Sequence, residues 1–244
     1  MRNVKLTIAY DGTAYKGWQV QKNGRTVQAE IEKAIARVIG SKHTVHGAGR
    51  TDAGVHAIAQ VANFKAPINF DVARIPPALN TVLPGDIAVK KAEEVPPDFH
   101  SRFDARAKVY SYRIVVSRAR DPFSERYVWR LPYALDERIM REEARVLIGK
   151  HDFKSFQASD KRERSSVRTI KSISIQRTGS NITLDIEGDG FLYNMVRSIA
   201  GTLVDIGRGY LLPGSMTDIL ASRDRKKAGP TAPAKGLFLV KVKY

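Results

Sequence analysis

A chain of 244 residues with 41 Lys and Arg against 25 Asp and Glu, a formal charge of +16, 43% hydrophobic residues and no cysteine has the make-up of a folded globular protein of one large or two small domains. Zero cysteine excludes disulfide frameworks, zinc ribbons, iron–sulfur clusters and thiol nucleophiles, and it fits a reducing compartment. No apolar run approaches the ~20 residues that span a bilayer, and Met1-Arg2-Asn3 leads straight into polar and apolar alternation, so a cytoplasmic protein with no membrane partner and no signal peptide is expected.

Val4, Leu6, Ile8 and Tyr10 alternate with polar or small residues before Asp11-Gly12, which predicts a half-buried strand over residues 3–10 ending in a turn. Thr26 is placed to cap a helix carrying Val27, Ile31, Ile35 and Val38 on one face, with Gly40 as its stop. A strand near 59–66, a proline-containing segment at 76–84 and a strand at 86–94 complete the first half. The second half opens with a strand at 109–116, then a helix from Asp136 carrying Ile139, Met140, Leu147 and Ile148 up to a Gly149 stop. Ile173 and Ile175, the turn Thr178-Gly179-Ser180-Asn181, then Ile182, Leu184 and Ile186 predict a hairpin. Leu192, Met195, Val196, Ile199 and Leu203 trace a helix face from Phe191, residues 223–233 read as a mobile, solvated basic loop, and Phe238, Val240, Val242 and Tyr244 give a closing strand. This order implies an α+β fold with two mixed or antiparallel sheet subdomains, residues 1–104 and 105–244, helices packed on one face of each, flanking a basic central cleft.

The first 104 residues hold 14 basic and 10 acidic side chains and the remainder 27 and 15, so the second subdomain is the expected electrostatic footprint. A sequence pI of 10.1 passes the threshold of about 9 that marks nucleic-acid binders. G-x-x-x-x-G-K-[ST], H-E-x-x-H, G-x-S-x-G and a complete G-x-G-x-x-G are all missing. His43, His46 and His56 have no carboxylate or thiol at a ligand spacing, so neither a metal nor a cofactor is expected. The densest unusual segment is His46-Gly47-Ala48-Gly49-Arg50-Thr51-Asp52-Ala53-Gly54-Val55-His56-Ala57, whose glycines permit a turn displaying Arg50 and Asp52. Taken alone, Asp52 is either a catalytic carboxylate or a loop residue that hydrogen-bonds its own backbone, and composition does not choose. Asp11 is a second carboxylate candidate, although Asp-Gly after a strand reads as a turn.

G-R-T-D-A-G-V-H-A and Y-D-G-T-x-Y-x-G-W-Q (10–19) resemble the tRNA pseudouridine synthase A (TruA) family, and further matches follow in order along the chain. They are L-P-G-D-I (83–87), F-H-S-R-F-D-A (99–105), V-Y-S-Y-R (109–113), D-F-x-S-F (152–156), F-L-Y-N-M-V-R-S-I-A-G (191–201) and A-x-G-L-F-L-V (234–240). The resemblance implies isomerisation of uridine to pseudouridine at positions 38, 39 and 40 of the tRNA anticodon stem-loop by a homodimer bridged by tRNA. It places the catalytic carboxylate on Asp52, a tyrosine that stacks on the target base on Tyr110, the basic partner of the aspartate on Arg197, and a base-extruding arginine on Arg50. Tyr112 lies on the same strand face as Tyr110.

Pseudouridine formation needs no oxidant and no energy source, which agrees with the missing cofactor motifs. One carboxylate can attack C1′ or C6, or take the C2′ proton to give a glycal, and the sequence leaves these open. Phe153, Phe156, Lys154, Lys161, Arg162, Arg164 and Arg168 interleave aromatic and basic residues, which suggests core phenylalanines and phosphate-facing cations, with Lys154 and Arg168 as substrate-binding candidates. Two competitors are a tRNA base-exchange transglycosylase, which would need a free-base pocket without a signature here, and a non-catalytic RNA-binding protein.

Overall fold

In strand β1 (Arg2–Tyr10) Val4, Leu6 and Ile8 are fully buried while Lys5 and Thr7 between them are half-exposed, so one face of the sheet is covered and the other open. The computed structural model describes residues 1–158 and 165–244, which form two compact units, Met1–Arg106 with Phe238–Tyr244, and Ala107–Leu237.

In the first unit, β1 is followed by α1 (Val27–Ile39), β2 (His46–Gly47), β3 (His56–Ala66), α2 (Ile75–Val82) and β4 (Ile87–Val95). The Thr26 hydroxyl accepts from the Ala29 N–H, and Gly40, at φ 86°, ends α1 by donating its N–H to the Ala36 carbonyl. The proline-containing segment forms α2, with its prolines in the first turn, where a missing N–H breaks no helical bond. β1 pairs antiparallel with both β3 and β4, and β2 adds a short antiparallel pairing to β3, His46 opposite Asn63. Helix α2 packs on β4 and against α1.

The second unit runs β5 (Ala107–Val116), β6 (Trp129–Leu131), α3 (Glu137–Arg145), β7 (Gly149–Asp152), β8 (Val167–Thr178), β9 (Asn181–Gly188), α4 (Met195–Gly207) and α5 (Ser215–Ser222). Its antiparallel order is β5-β9-β8-β7, and β6 runs parallel to β5. α3 lies on β8 and against α4. The last strand, β10 (Leu237–Lys243), brings Phe238 and Leu239 alongside His56 and Ala57 of β3 in parallel register.

Three sequence expectations change. The helix from Asp136 stops at Arg145 rather than at Gly149, because Leu147 and Ile148 turn back through N–H bonds to Ala144 and Arg145, and Gly149, at φ 113°, opens β7. The helix expected from Phe191 begins at Met195, because Asn194 sits at φ 61° and cannot continue a helix backward. The basic loop 223–233 is clasped onto α4, as described below. Its backbone follows a strand tyrosine too: buried Tyr112 donates its hydroxyl to the Pro233 carbonyl at 2.8 Å. Tyr112→Phe is therefore expected to cost about 1 kcal/mol in a urea titration, by stranding that acceptor.

Candidate active site

The loop between β2 and β3 is held by the segment that follows β1, so the two densest motifs of the sequence form one object. Trp18 N–H donates to the Thr51 carbonyl at 3.1 Å, Gly54 N–H to the Tyr15 carbonyl at 3.3 Å, and the Tyr10 and Thr51 hydroxyls share a buried bond of 2.8 Å. From the sheet side, Gln60 Nε2 donates to the Gly49 carbonyl at 2.9 Å and Ala48 N–H to Val61 at 2.7 Å. Burial pushes the Tyr10 phenol above its ordinary range, which keeps it a neutral partner for Thr51.

Gly17 makes this contact possible. It sits at φ +88°, and a Cβ there would lie 2.4 Å from the Thr51 carbonyl oxygen and 3.1 Å from the Asp52 carbonyl carbon. Gly17→Ala is expected to lower stability by about 2–3 kcal/mol, from backbone strain plus overpacking against backbone, read as a lower urea midpoint.

Thr51 and Val55 are buried on either side of half-exposed Asp52, whose carbonyl accepts the Val55 N–H at 3.1 Å. Arg50 is exposed and tethered through Nε to Gln19 Oε1 at 3.2 Å. Asp11 serves its turn: Oδ1 accepts from the Thr13 N–H at 2.9 Å and hydroxyl at 2.6 Å, and lies 3.1 Å from His56 Nδ1. His43 bonds Ser41, the His46 ring lies tilted 5.0 Å from that of His100, and His56 stacks on Phe238. Among the described residues no group of three histidines or carboxylates is placed to hold a metal ion.

Tyr110, Arg197, Arg168 and Lys154 belong to the second unit. Tyr110 is buried and meets Phe191 edge-on, ring centroids 5.1 Å apart at 83°. Every residue of α4 other than Arg197 is buried. Arg197 Nε donates to the Ala232 carbonyl at 2.7 Å and Nη1 to Asn194 Oδ1 at 2.8 Å, while Ala232 N–H returns a bond to the Arg197 carbonyl at 3.1 Å. Asn194, the N-cap of α4, makes no side-chain capping bond and gives its side chain to Arg197. A left-handed non-glycine residue committed in this way is local strain held in place by its surroundings.

The loop expected to be solvated is what presents Ala232. Arg225 donates to the Ala228 and Gly229 carbonyls at 3.3 and 2.9 Å and to the Thr231 hydroxyl at 2.9 Å, and Gly229 N–H donates to Thr202 Oγ1 of α4 at 2.9 Å. Sequence reasoning missed Arg225, Phe191 and the Ala232 carbonyl. The available signal was the run of small residues and prolines at 228–233, which allows close backbone approach. Arg225→Ala is expected to lower stability by about 2 kcal/mol in a urea titration, since it strands three acceptors.

Arg168 turns its Nη1 onto the Ser165 and Val167 carbonyls at 2.8 and 2.6 Å. Lys154 is exposed at the start of a short 3-10 turn, Lys154–Phe156, with Phe153 and Phe156 fully buried as core. Lys161, Arg162 and Arg164 lie outside the described residues.

A sequence profile of the family described as tRNA pseudouridine synthase matches residues 6–104 and 144–244, most of the chain. The chain belongs to the tRNA pseudouridine synthase family. The synthase is 46% identical over 244 residues to tRNA pseudouridine synthase A of Thermoanaerobacter sp. (strain X514), covering all of both chains. It is 49% identical over 243 residues to the protein of that name from Moorella thermoacetica, covering 99% of each. The family makes the synthase an isomerase acting on tRNA. Among solved structures, a Cbf5-Nop10-Gar1 complex matches at TM-score 0.37 and 13% identity over 99% of this chain and 58% of that one. An H/ACA RNP bound to a substrate RNA containing 2′-deoxyuridine matches at TM-score 0.35 and 11% identity over 82% and 44%. The synthase spans about half the length of these solved chains. No helix among the described residues is long and apolar enough to cross a membrane.

Proposed function

We propose that the synthase isomerises uridine to pseudouridine at positions 38, 39 and 40 of the tRNA anticodon stem-loop, with Asp52 as the catalytic carboxylate and Tyr110 and Arg197 serving the same reaction. What carries this reading is the Asp52 loop: a half-exposed carboxylate on a backbone fixed through Thr51, Gly54 and Val55, with an exposed arginine two residues before it. In the reaction the N1–C1′ bond breaks, the uracil turns, C5 bonds to C1′, the C5 proton leaves and N1 gains one. Nothing is oxidised or reduced. Asp52 supplies the nucleophile at C1′ or C6, or the base at C2′.

The target uridine leaves its stack at a cost of a few kcal/mol. Arg50, exposed and tethered to Gln19, is the group proposed to take the vacated place in the helix. Tyr110, its ring fixed by Phe191, is proposed to offer an aromatic face to the base, which is worth ~1–3 kcal/mol. Arg197 enters with its guanidinium oriented by Ala232 and Asn194, ready to orient and stabilise an anion. Lys154 is proposed as a phosphate contact. Arg168 is proposed to reach phosphate with the part of its fork not turned onto Ser165 and Val167. The working form is proposed to be a cytoplasmic homodimer bridged by tRNA.

The test is incubation of the purified protein, without nucleotide or metal, with an unmodified tRNA transcript carrying uridine at 38, 39 and 40, followed by carbodiimide treatment and primer extension. Stops at those positions are expected. Stops confined to another arm of the tRNA would overturn the assignment of the target.

A further inference from the structure

The chain leaves β4 through residues 96–104, a turn fastened by buried polar side chains. Asn3, Asn63 and Ser101 are 3%, 2% and 0% exposed. Asn3 Nδ2 donates to the Pro96 and Phe99 carbonyls, both at 2.9 Å, and Asn3 Oδ1 accepts from Asn63 Nδ2 at 3.0 Å. Asn63 Oδ1 accepts the Ser101 N–H at 2.9 Å, the Ser101 hydroxyl donates to the His46 carbonyl, and Tyr244 donates its hydroxyl to the Ser101 carbonyl at 2.8 Å. Asp104 closes the turn by accepting the His100 N–H at 2.9 Å and donating its own N–H to the His100 carbonyl at 3.1 Å. Buried polar networks of this kind rigidify what they hold when every member is satisfied.

What the network holds is not core. Phe103 is 75% exposed, the Arg102 guanidinium lies 5.7 Å from its ring centroid, the His100 ring stands 4.3 Å from it, and His46 stands 5.0 Å from His100. A single exposed phenylalanine needs no explanation. A phenylalanine held in water on a turn that three buried polar residues fasten, with an arginine and the His100 imidazole against it and His46 behind His100, has the composition of a stacking platform for nucleic acid. Residues 96–104 contain no Leu, Ile, Val or Met, whereas the core of a protein interface is a contiguous apolar patch.

We propose that this turn is a docking contact for tRNA, in which Phe103 stacks on an unstacked nucleobase and Arg102 pairs with a neighbouring phosphate. The proposal rests on tRNA being the substrate. It does not rest on Asp52 or on positions 38–40. His46 pairs with Asn63, seven residues along β3 from His56, so the platform lies about 20 Å along the strand from the end where the Asp52 loop joins it. Phe103 is therefore tested on binding rather than on turnover. Because the turn is already ordered, stacking on it needs no further fixing of the protein.

The experiment is direct binding of unmodified tRNA transcript, measured across a salt series for the wild type, Phe103→Ala, Phe103→Tyr, Arg102→Ala and, as a control, Leu212→Ala, which removes a side chain 76% exposed in the second unit. Phe103→Ala is expected to raise Kd about tenfold without changing its salt slope, and Phe103→Tyr to stay within about twofold of wild type. Arg102→Ala is expected to reduce the slope of log Kd against log salt by about one. A Phe103→Ala Kd within about twofold of wild type, or an equal loss in Leu212→Ala, would overturn the proposal. A change in the mass of the assembly in Phe103→Ala by light scattering, with tRNA affinity kept, would overturn it in favour of a protein contact. The readout is affinity rather than product, so a failure of the Asp52 assignment leaves this result standing, and the reverse also holds.

Discussion

Asp52→Asn is expected to lower the rate of pseudouridine formation by at least about 10³-fold while tRNA binds as in the wild type. Asparagine has the same shape but neither attacks carbon nor accepts a proton. The loop survives the change because its shape is set by backbone bonds from Trp18 and Gly54, the Tyr10–Thr51 hydroxyl pair and the Gln60 amide, none of which uses the Asp52 carboxylate. The check is single-turnover kinetics with enzyme in excess, beside a binding isotherm. If Asp52→Asn keeps its rate and Asp11→Asn loses it, the chemistry belongs to the other carboxylate, the one that turns the chain after β1.

Gly201→Ala is the second large effect, and its sign is the informative part. In a helix interior alanine is favoured over glycine by about 1 kcal/mol. Here a Cβ would stand 1.8 Å from the Pro230 carbonyl oxygen and 2.9 Å from its carbon, both backbone atoms, so α4 and the loop must part. Overpacking of this kind costs about 1–3 kcal/mol, and moving Pro230 also draws Ala232 away from Arg197. A net loss of about 2 kcal/mol in urea unfolding is expected, together with a fall in kcat larger than any rise in KM. A gain of stability would mean that the loop does not rest on α4 and that Arg197 is held in some other way.

The contrast between local and long-range signals explains which parts of this protein were legible in its sequence. Thr26, Gly40 and Asp136 mark helix ends because capping involves residues two to four apart, and each does so in the structure. The Thr178–Asn181 turn fixed the register of its hairpin for the same reason. The end of α3 was not legible, because Leu147 and Ile148 continue the apolar period while the backbone has already turned. Nothing near Phe238 indicates that it runs beside His56.

The site follows the same division. Glycine spacing singled out the Asp52 loop, but the clasp from residues 10–19 appears only once β1 and β3 are paired. Tyr110 and Tyr112 look equivalent on one strand face until the Pro233 carbonyl takes one hydroxyl and Phe191 the other ring. Arg225 was one cation in a basic run. Its role depends on where carbonyls three and four residues ahead point, which composition does not encode.

The most direct test uses a tRNA transcript tritiated at C5 of uridine, with enzyme in excess and no nucleotide or metal. Formation of the C5–C1′ bond must expel the label, so tritium is predicted to appear in water in step with pseudouridine, without free uracil, and not at all with Asp52→Asn. Release of free uracil, or unchanged tritium release by Asp52→Asn, would contradict the account of this loop as the centre of an isomerase.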